Sequence, residues 1–315
     1  MDTDQRLDAL VAPLRADVVS GASVIGKMAA EVLRLAAQDA RAVALEEFRS
    51  ELGEVCGKVL DAQPAMATLV TLVRDVLTSV EACEDLETGR QAAVRAAEAF
   101  GSGLESRAES IATRAAALIP SGATVATISY SSTVLATLTH EGTWAVGQVI
   151  CFESRPMREG ETLATALAEV GVAVTFAVDA AASTLMGECD IVLLGADSIG
   201  DLGVVNKIGS AGLVDAAIRR GVPVMVVSDE TKILPTGFPQ HLTDDRPPEE
   251  VWRAPAGVRV WNQYFESFEL ERVTMVVTES DALTAPEVEK LRKDIVLPTA
   301  LLAWADARAP GPPEV

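Results

Sequence analysis

The chain has 315 residues, 49% of them hydrophobic and only 4% aromatic, and its formal net charge at pH 7 is −20. This acidity argues against nucleic acid and anionic membranes as direct partners, because both bind basic surfaces. The charged residues 1–15 do not resemble a signal peptide, and no apolar run reaches membrane-spanning length. We therefore expect a cytoplasmic protein that is long enough for two domains.

The four cysteines, Cys56, Cys83, Cys151 and Cys189, form no CxxC pair and no cluster with the histidines. A zinc site normally needs ligands that are close together in the sequence. We therefore expect no metal site, and we expect the thiols to stay reduced in a cytoplasmic protein.

Residues 1–118 have a helical pattern throughout, because apolar side chains recur at spacings of three and four residues. One helix is expected to begin near Ser20 or Ser23, either of which can act as its cap. Another is expected to begin near Pro64, which suits the first turn of a helix. The pattern predicts a helical bundle.

From residue 119 onwards, short apolar runs alternate with helical patterns. Strands are predicted at 123–128, 144–152, 172–177, 191–194, 222–227, 258–261 and 273–277. Helices are predicted at 133–138, 162–169, 180–186 and 210–220, with a last helix from 286. Such alternation implies right-handed crossovers and a parallel sheet. The sequence therefore predicts an α/β fold, with a helical N-terminal domain at 1–118 and a Rossmann-like parallel-sheet domain at 119–315.

A polar, proline-rich stretch, residues 232–255, follows the strand predicted at 222–227. It is too long for a simple turn, and long loops of this kind usually carry function or an interface. We expect one of these two roles for it.

Polar side chains follow three of the predicted strands at their carboxyl ends: Ser129 and Ser131, then Glu153 and Arg155, and later Asp197 with Asn206 and Lys207. Ligands of open parallel sheets bind at this edge. The helix expected to begin at Ser210, with Ser210 as its cap, adds a free N-terminus. A carboxylate, an amide, an ammonium and a helix N-terminus together suit a small ligand with phosphate and hydroxyl groups.

Each of the charged candidates has a functional and a purely structural interpretation. Asp197 can act as a general acid or base if burial raises its pKa, or it can cap its own loop. Lys207 can hold a phosphate or a developing oxyanion, or it can be solvated. Arg155 suits a bidentate phosphate contact, or an ion pair with Glu153 or Glu159.

The neutral candidates are equally open. Ser129 and Ser131 can bind a sugar or phosphate, or can cap the helix that follows them. Cys151 is expected to serve packing, as buried cysteines usually do.

Seven short blocks occur in the order of one protein family and span nearly the whole chain: SGAS at 20–23, QPAM at 63–66, TISYS at 127–131, ESRP at 153–156, GADS at 195–198, NKIG at 206–209 and NQYFE at 262–266. On these blocks the chain resembles the initiation factor 2B alpha/beta/delta family. That family also contains methylthioribose-1-phosphate isomerase and ribose-1,5-bisphosphate isomerase. The GADxI block followed by NKIG is the most specific part of the resemblance.

The resemblance implies an N-terminal helical domain and a C-terminal Rossmann-like domain, with dimers built largely through the latter. It also implies a pocket for a sugar phosphate or nucleotide phosphate between the two domains. We expect a homodimer or a larger homo-oligomer, and neither a metal nor a redox cofactor.

The resemblance also implies site residues. In the isomerases a cysteine and an aspartate serve the transfer of a proton or hydride between adjacent carbons. The aspartate corresponds to Asp197, but the cysteine of the family's THC block is replaced by Ser129. The Arg-Gly-Ala-Pro block of the methylthioribose enzymes corresponds to residues 20–23, so Gly21 and Ala22 are retained as predicted substrate contacts and the expected phosphate-binding arginine is missing.

Two functions follow. Loss of the thiol favours a non-catalytic initiation-factor-2B-like protein, because serine is far less acidic than cysteine. Such a protein would keep its sugar-phosphate pocket as a sensor and work in translation initiation through its assembly interface. The alternative is an aldose–ketose isomerase acting on ribose 1,5-bisphosphate or methylthioribose 1-phosphate. In that enzyme Asp197 would move the proton and Ser129 or Cys151 would assist. The predicted substrate contacts are Gly21, Ala22, Ser131, Arg155, Asn206 and Lys207.

Overall fold

The chain folds as two compact units, each with its own apolar core. The computed structural model describes residues 3–17, 21–141, 146–242 and 246–308. The first unit comprises Met1–Ser106, Thr231–His241 and Arg292–Val315, and the second comprises Arg107–Glu230 and Leu242–Leu291. The domain division at residue 118 stays a prediction.

The described residues form eleven α-helices: α1 Thr3–Ala16, α2 Ala22–Gln38, α3 Leu45–Ala62, α4 Ala67–Glu81, α5 Leu86–Leu118, α6 Ser132–Leu138, α7 Gly160–Glu169, α8 Ala182–Leu185, α9 Ser210–Arg220, α10 Ala285–Asp294 and α11 Thr299–Asp306. They also form ten strands: β1 Thr124–Ile128, β2 Gln148–Phe152, β3 Val174–Ala177, β4 Ile191–Leu194, β5 Ser198–Gly200, β6 Gly203–Lys207, β7 Val224–Val227, β8 Phe265–Phe268, β9 Met275–Val277 and β10 Ala282–Leu283. None of these helices is both long and apolar enough to cross a bilayer.

The first unit is helical, as the apolar spacing predicts. Residues three and four apart on α2, such as Ile25, Ala29 and Leu33, are fully buried, so the helix presents one apolar face to the core. The expected starts are partly wrong. Gly21 is the N-cap of α2 and no side chain caps it, while Ser23 lies inside the helix. Ser20 lies outside the described residues.

Two further details of the first unit differ from the sequence prediction. Pro64 lies in a turn before α4, which begins at Ala67, so it is not in a first helical turn. Helix α11 was not predicted, and its Leu301 side chain is buried in the core of this unit. Because α11 is only 8 residues long, its apolar pattern is too short to stand out.

The second unit contains a seven-stranded sheet in the order β10-β9-β7-β4-β1-β2-β3. All its pairs are parallel except β9 with β10, so the expected parallel sheet and the α/β fold class are confirmed. All four residues of β4 are buried, as expected for a central strand covered on both faces. The carboxyl ends of β1, β2 and β4 therefore lie side by side.

A second, three-stranded antiparallel sheet, in the order β5-β6-β8, corrects the sequence prediction. Between the strand at 191–194 and the helix at 210–220 the sequence predicts a loop rich in polar groups, but this segment contains the hairpin of β5 and β6. Gly203 turns that hairpin with a φ of +86°, and a Cβ there would lie 2.2 Å from the Phe268 carbonyl oxygen. Short strands with a glycine at the turn resemble a loop in sequence, and only their pairing defines them.

The prediction of a late strand at 258–261 is also wrong, because the strand in this region is β8, at Phe265–Phe268. The Val-Arg-Val-Trp sequence alternates as a strand does, yet Val258 and Trp261 are 48% and 57% exposed. The described part of 232–255 contains two short 3-10 helices and no α-helix. The strand predicted at 144–152 begins at Gln148, and its residues 144 and 145 lie outside the described residues.

Candidate functional site

Three loops meet at the carboxyl edge of the large sheet. A Cβ atom on Gly195, after β4, would lie 2.8 Å from the Ser131 Oγ, in the loop after β1. A Cβ atom on Gly209 would lie 2.7 Å from the Ile128 Cδ1. Only glycine permits these close approaches. We call this edge, with the β5–β6 hairpin beside it, the strand-end site.

Two of these loops hold residues in strained backbone conformations. Ser129 after β1 has a φ of 68°, and Ser154 after β2 has a φ of 65°. Arg158, further along the second loop, has a φ of 60°. Each non-glycine residue in this region costs about 1–3 kcal/mol, and such residues cluster at functional sites because the surrounding structure must enforce them. The strain marks the ends of β1 and β2 as functional candidates.

Asp197 lies on the segment that joins β4 to the hairpin. Its backbone N–H donates to the Val205 carbonyl at 2.8 Å, and the register pairs Ser198 with Val205. Continuing that register places Asp197 opposite Asn206, the neighbour of Lys207. Asp197 therefore lies opposite Asn206 in the strand register and is partly exposed; that these residues and Lys207 act on one ligand stays a prediction.

The buried Asn206 and Ser210 side chains bond to each other. The Asn206 Nδ2 donates to the Ser210 Oγ at 2.9 Å, and the Ser210 hydroxyl donates to the Lys207 carbonyl at 2.6 Å. The prediction that Ser210 caps α9 is wrong, because Gly209 is the N-cap, with a φ of 100° and no side-chain cap bond. The serine instead fixes the end of β6 to the start of the helix.

The N-terminus of α9 is not free, which corrects a second expectation. One carboxylate oxygen of Glu266, on β8, accepts hydrogen bonds from the N–H groups of Gly209 and Ala211, at 2.8 Å each. Burial raises the pKa of the Glu266 carboxyl, and these two N–H groups offset part of that rise. A phosphate at this helix end would have to displace Glu266.

Lys207 is buried and paired, so the solvated interpretation is wrong. It is 3% exposed, and its ammonium lies 2.6 Å from a carboxylate oxygen of Glu159. The same ammonium lies 4.5 Å from the centroid of the Tyr264 ring. Glu159 therefore pairs with Lys207 and not with Arg155, which was one of the structural alternatives for that arginine.

Arg155 is held through its backbone. Its N–H and that of Ser154 donate to the two carboxylate oxygens of Asp179, at 2.8 and 2.7 Å. Its exposed side chain donates to the Val251 carbonyl at 3.2 Å. Asp179 begins the 3-10 helix after β3, so a carboxylate that the sequence did not single out fixes this loop.

A polar network that the sequence also did not single out lies beside Lys207. The Tyr264 hydroxyl donates to Glu250 at 2.6 Å, and the Asn262 amide donates to the same oxygen at 2.9 Å. The Arg246 guanidinium lies 4.5 Å from the Tyr264 ring. Asn262 and Tyr264 belong to the NQYFE block, but nothing in their spacing indicates a partner at position 250.

The hydroxyl and thiol candidates have different surroundings. The Ser131 Oγ accepts a hydrogen bond from the Val134 N–H at 3.3 Å, so this serine caps α6. Cys151 is completely buried, and its thiol donates to the Gly160 carbonyl at 3.3 Å. Burial raises the pKa of that thiol to about 12. Cys151 therefore serves packing and does not supply the missing thiolate.

Gly21 and Ala22 belong to the first unit, at the exposed start of α2. A Cβ at Gly21 would meet nothing within 4 Å. Their contact with a ligand stays a prediction. Among the described residues, no three His, Cys, Asp or Glu side chains are grouped so that they could hold a metal ion.

The chain is similar to several known proteins. The chain is 33% identical over 230 residues to the ribose 1,5-bisphosphate isomerase of Haloferax volcanii, covering 72% of this chain and 70% of that protein. It is 30% identical over 303 residues to the methylthioribose-1-phosphate isomerase of Pelotomaculum thermopropionicum, covering 88% of this chain and 82% of that protein. The crystal structure of the translation initiation factor eIF-2B of Pyrococcus horikoshii matches with a TM-score of 0.74 at 26% identity, and the match covers 90% of this chain and 98% of that chain. Residues 18–285 match the family described as the initiation factor 2 subunit family, and the chain belongs to that family.

Proposed function

We propose that the chain is an aldose–ketose isomerase that binds a phosphorylated ribose at the strand-end site. The observation that supports the proposal most directly is the strand register of the hairpin, which continues to Asp197 opposite the buried Asn206, with the buried Lys207 next in the chain. The relatives that are 33% and 30% identical support it, because both are named as isomerases of ribose phosphates. Ribose 1,5-bisphosphate and methylthioribose 1-phosphate are the substrates to test.

The chemistry needs one group that moves protons. Converting an aldose 1-phosphate to the ketose breaks the bond between C1 and the ring oxygen and moves a hydrogen from C2 to C1. The ring oxygen gains a proton, and the C2 hydroxyl loses one as it becomes a carbonyl. In this proposal Asp197 donates the first proton and accepts the second, as a positioned carboxyl can.

The neighbouring groups hold the substrate. Lys207 would stabilise the negative charge that builds up on the C2 oxygen as its proton leaves, and a fixed positive charge does this most effectively in a site that excludes water. Asn206 is proposed to bond a hydroxyl, and the exposed Arg155 a phosphate. Ser129 stands where the isomerases have a thiol, and a serine without an adjacent base is not ionised. We assign Ser129 a hydrogen bond to the reacting oxygen, and Ser131 a ligand contact through the hydroxyl that also caps α6.

A second function is favoured by one observation, the absence of a thiolate. Ser129 carries a hydroxyl, and the pKa of Cys151 is raised to about 12 by burial. A protein with this site could bind a sugar phosphate or nucleotide phosphate without turning it over. It would then be an initiation-factor-2B-like sensor that acts through its assembly as a homodimer or larger homo-oligomer.

One experiment separates the two functions. The pure protein is incubated with ribose 1,5-bisphosphate and, separately, with methylthioribose 1-phosphate, and ketose formation is followed by NMR. The isomerase predicts ketose that disappears in Asp197→Asn and persists in Asp201→Asn, a matched change at an exposed residue of the same hairpin. Saturable binding with no ketose would support the sensor and reject the isomerase.

A further inference from the structure

Tyr264 lies directly beside Lys207 because of how β6 and β8 pair. The register places Lys207 opposite Phe265, and the Ile208 N–H donates to the Tyr264 carbonyl at 2.8 Å. These two backbone contacts fix the distance between the strands at this end of the small sheet. The lysine and the tyrosine are therefore neighbours by backbone geometry, independently of their side chains.

The Lys207 ammonium is a buried charge with two close partners among the described residues. Its residue is 3% exposed, and the ammonium lies 2.6 Å from the Glu159 carboxylate and 4.5 Å from the Tyr264 ring centroid. A buried ammonium needs compensation for its lost hydration. The carboxylate supplies part of it, and the negative face of an aromatic ring supplies more. Removal of the ring would leave one side of the ammonium open to water.

The Tyr264 ring is itself fixed from the far side. Its hydroxyl donates to Glu250, whose same oxygen also accepts from Asn262. The Arg246 guanidinium lies 4.5 Å from the ring centroid as well. Burial and the Glu250 hydrogen bond raise the pKa of the phenol, so it stays neutral at physiological pH. The phenol is therefore an anchor for the ring and not an acid or base.

We propose that Tyr264 is a positioning residue whose ring holds the Lys207 ammonium beside Glu159 and shields it from water, with Glu250 as the anchor of the ring. Any effect of Tyr264 on a ligand passes through Lys207, and this part of the proposal rests on the proposed function. The effect of Tyr264 on the Lys207 ammonium is independent of the proposed function. Glu250 lies in the segment 246–262, so in this proposal that segment helps to hold the ring that covers Lys207.

The first test needs no ligand. The whole protein is treated briefly with acetic anhydride, and the acetylation of each lysine is measured by mass spectrometry. We expect Lys207 to react about tenfold faster in Tyr264→Leu than in the wild type, and within about twofold of the wild type in Tyr264→Phe, which keeps the ring. The exposed Lys290 is the internal control for the amount of reagent, and the circular dichroism spectrum of each variant checks that the fold is unchanged. Equal reactivity of Lys207 in all three proteins would overturn the proposal.

The second test is a double-mutant cycle with Lys207→Met. The dissociation constant for ribose 1,5-bisphosphate is measured by calorimetry in the four proteins. Tyr264→Leu is expected to weaken binding about tenfold in the wild-type background and less than about twofold when Lys207 is methionine. Equal weakening in both backgrounds would show that Tyr264 acts on the ligand by another route, which rejects the proposal.

The two tests separate this proposal from the proposed function. If the wild-type protein binds no ribose 1,5-bisphosphate, the proposed function loses this substrate, and the acetylation rates alone decide the role of Tyr264. Glu250→Gln provides a second variant that leaves the ring in place. It is expected to give an acetylation rate for Lys207 no higher than that of Tyr264→Phe, because both variants alter the same hydrogen bond and keep the ring; a rate clearly above that of Tyr264→Phe would show that Glu250 acts on Lys207 by another route and would reject it as the anchor.

Discussion

The hairpin side of the strand-end site and its β1–β2 side contribute different chemistry. On the hairpin side, Asn206 and Lys207 are buried and bonded, and Asp197 continues the strand register opposite Asn206. On the β1–β2 side, Ser129 has a strained backbone and a hydroxyl, and Cys151 faces the core. The charged side chains lie on one side, while the described residues of the other side include a strained backbone, a hydroxyl and a buried thiol.

Backbone strain and side-chain chemistry are separate features of this site. A φ of 68° at Ser129 costs free energy whether the side chain ends in sulfur or oxygen. The strained loop therefore does not by itself indicate catalysis. Variants that change one side at a time are the direct way to find what each side contributes.

The largest expected effect comes from Asp197→Asn. If Asp197 moves the protons, turnover of ribose 1,5-bisphosphate should fall about 10²–10⁴-fold, because the amide keeps the shape but not the basicity. Binding of the same ligand, measured by calorimetry, should change much less. Asp201→Asn, with the same charge change at an exposed hairpin residue, should keep its turnover. Full turnover in Asp197→Asn would remove this residue from the mechanism.

Ser129→Cys restores a thiol to the β1 side and should raise turnover by about tenfold or more, if the thiol is what that side lacks. The gain should grow as the pH rises towards about 8.5, where an ordinary thiol ionises. Initial rates across a pH series provide the measurement. Cys151→Ala is the control, because its thiol is buried and should not contribute. A pH-independent rate equal to that of the wild type would show that the missing thiol is not the limitation.

The sequence located much of the hairpin side because its features are local. The apolar run of β4 was predicted at 191–194 with both ends correct, since all four residues are buried in a central parallel strand. Asp197 follows that run by three positions, so it had to lie near the carboxyl edge. The α/β fold likewise follows from the alternation of short apolar runs and helical patterns.

The contacts that surround these residues could not be predicted in the same way. Lys207 and Glu159 are 48 positions apart, and Gly209 and Glu266 are 57 apart. Both contacts depend on how strands from different parts of the chain pair, and no local periodicity encodes that pairing. The same long-range pairing explains why the hairpin was predicted as a loop and why Tyr264 was not singled out.

Ser131→Ala tests the structural part of the β1 side. Loss of the N-cap of α6 should lower the free energy of unfolding by about 1 kcal/mol, measured by urea denaturation. Ser132→Ala, at the exposed first position of the same helix, is the matched control and should change stability little. If Ser131→Ala weakens binding of ribose 1,5-bisphosphate without the stability loss, the cap is not the main role of this hydroxyl.

The smallest expected effect is a change in the pH dependence of stability in Glu266→Gln. Burial raises the pKa of Glu266, so the folded state binds this proton more tightly than the unfolded chain does. Its contribution to stability is present below the ordinary pKa of 4.5 and is lost as the pH rises through the folded-state value. Gln cannot ionise, so the free energy of unfolding of the variant, from urea titrations, should fall less between about pH 4.5 and 7 than that of the wild type. If the free energy of unfolding has the same pH dependence in the two proteins, the N–H groups of Gly209 and Ala211 fully offset the cost of burying the Glu266 carboxylate. The contact between Glu266 and the N-terminus of α9 would then cost no stability at pH 7.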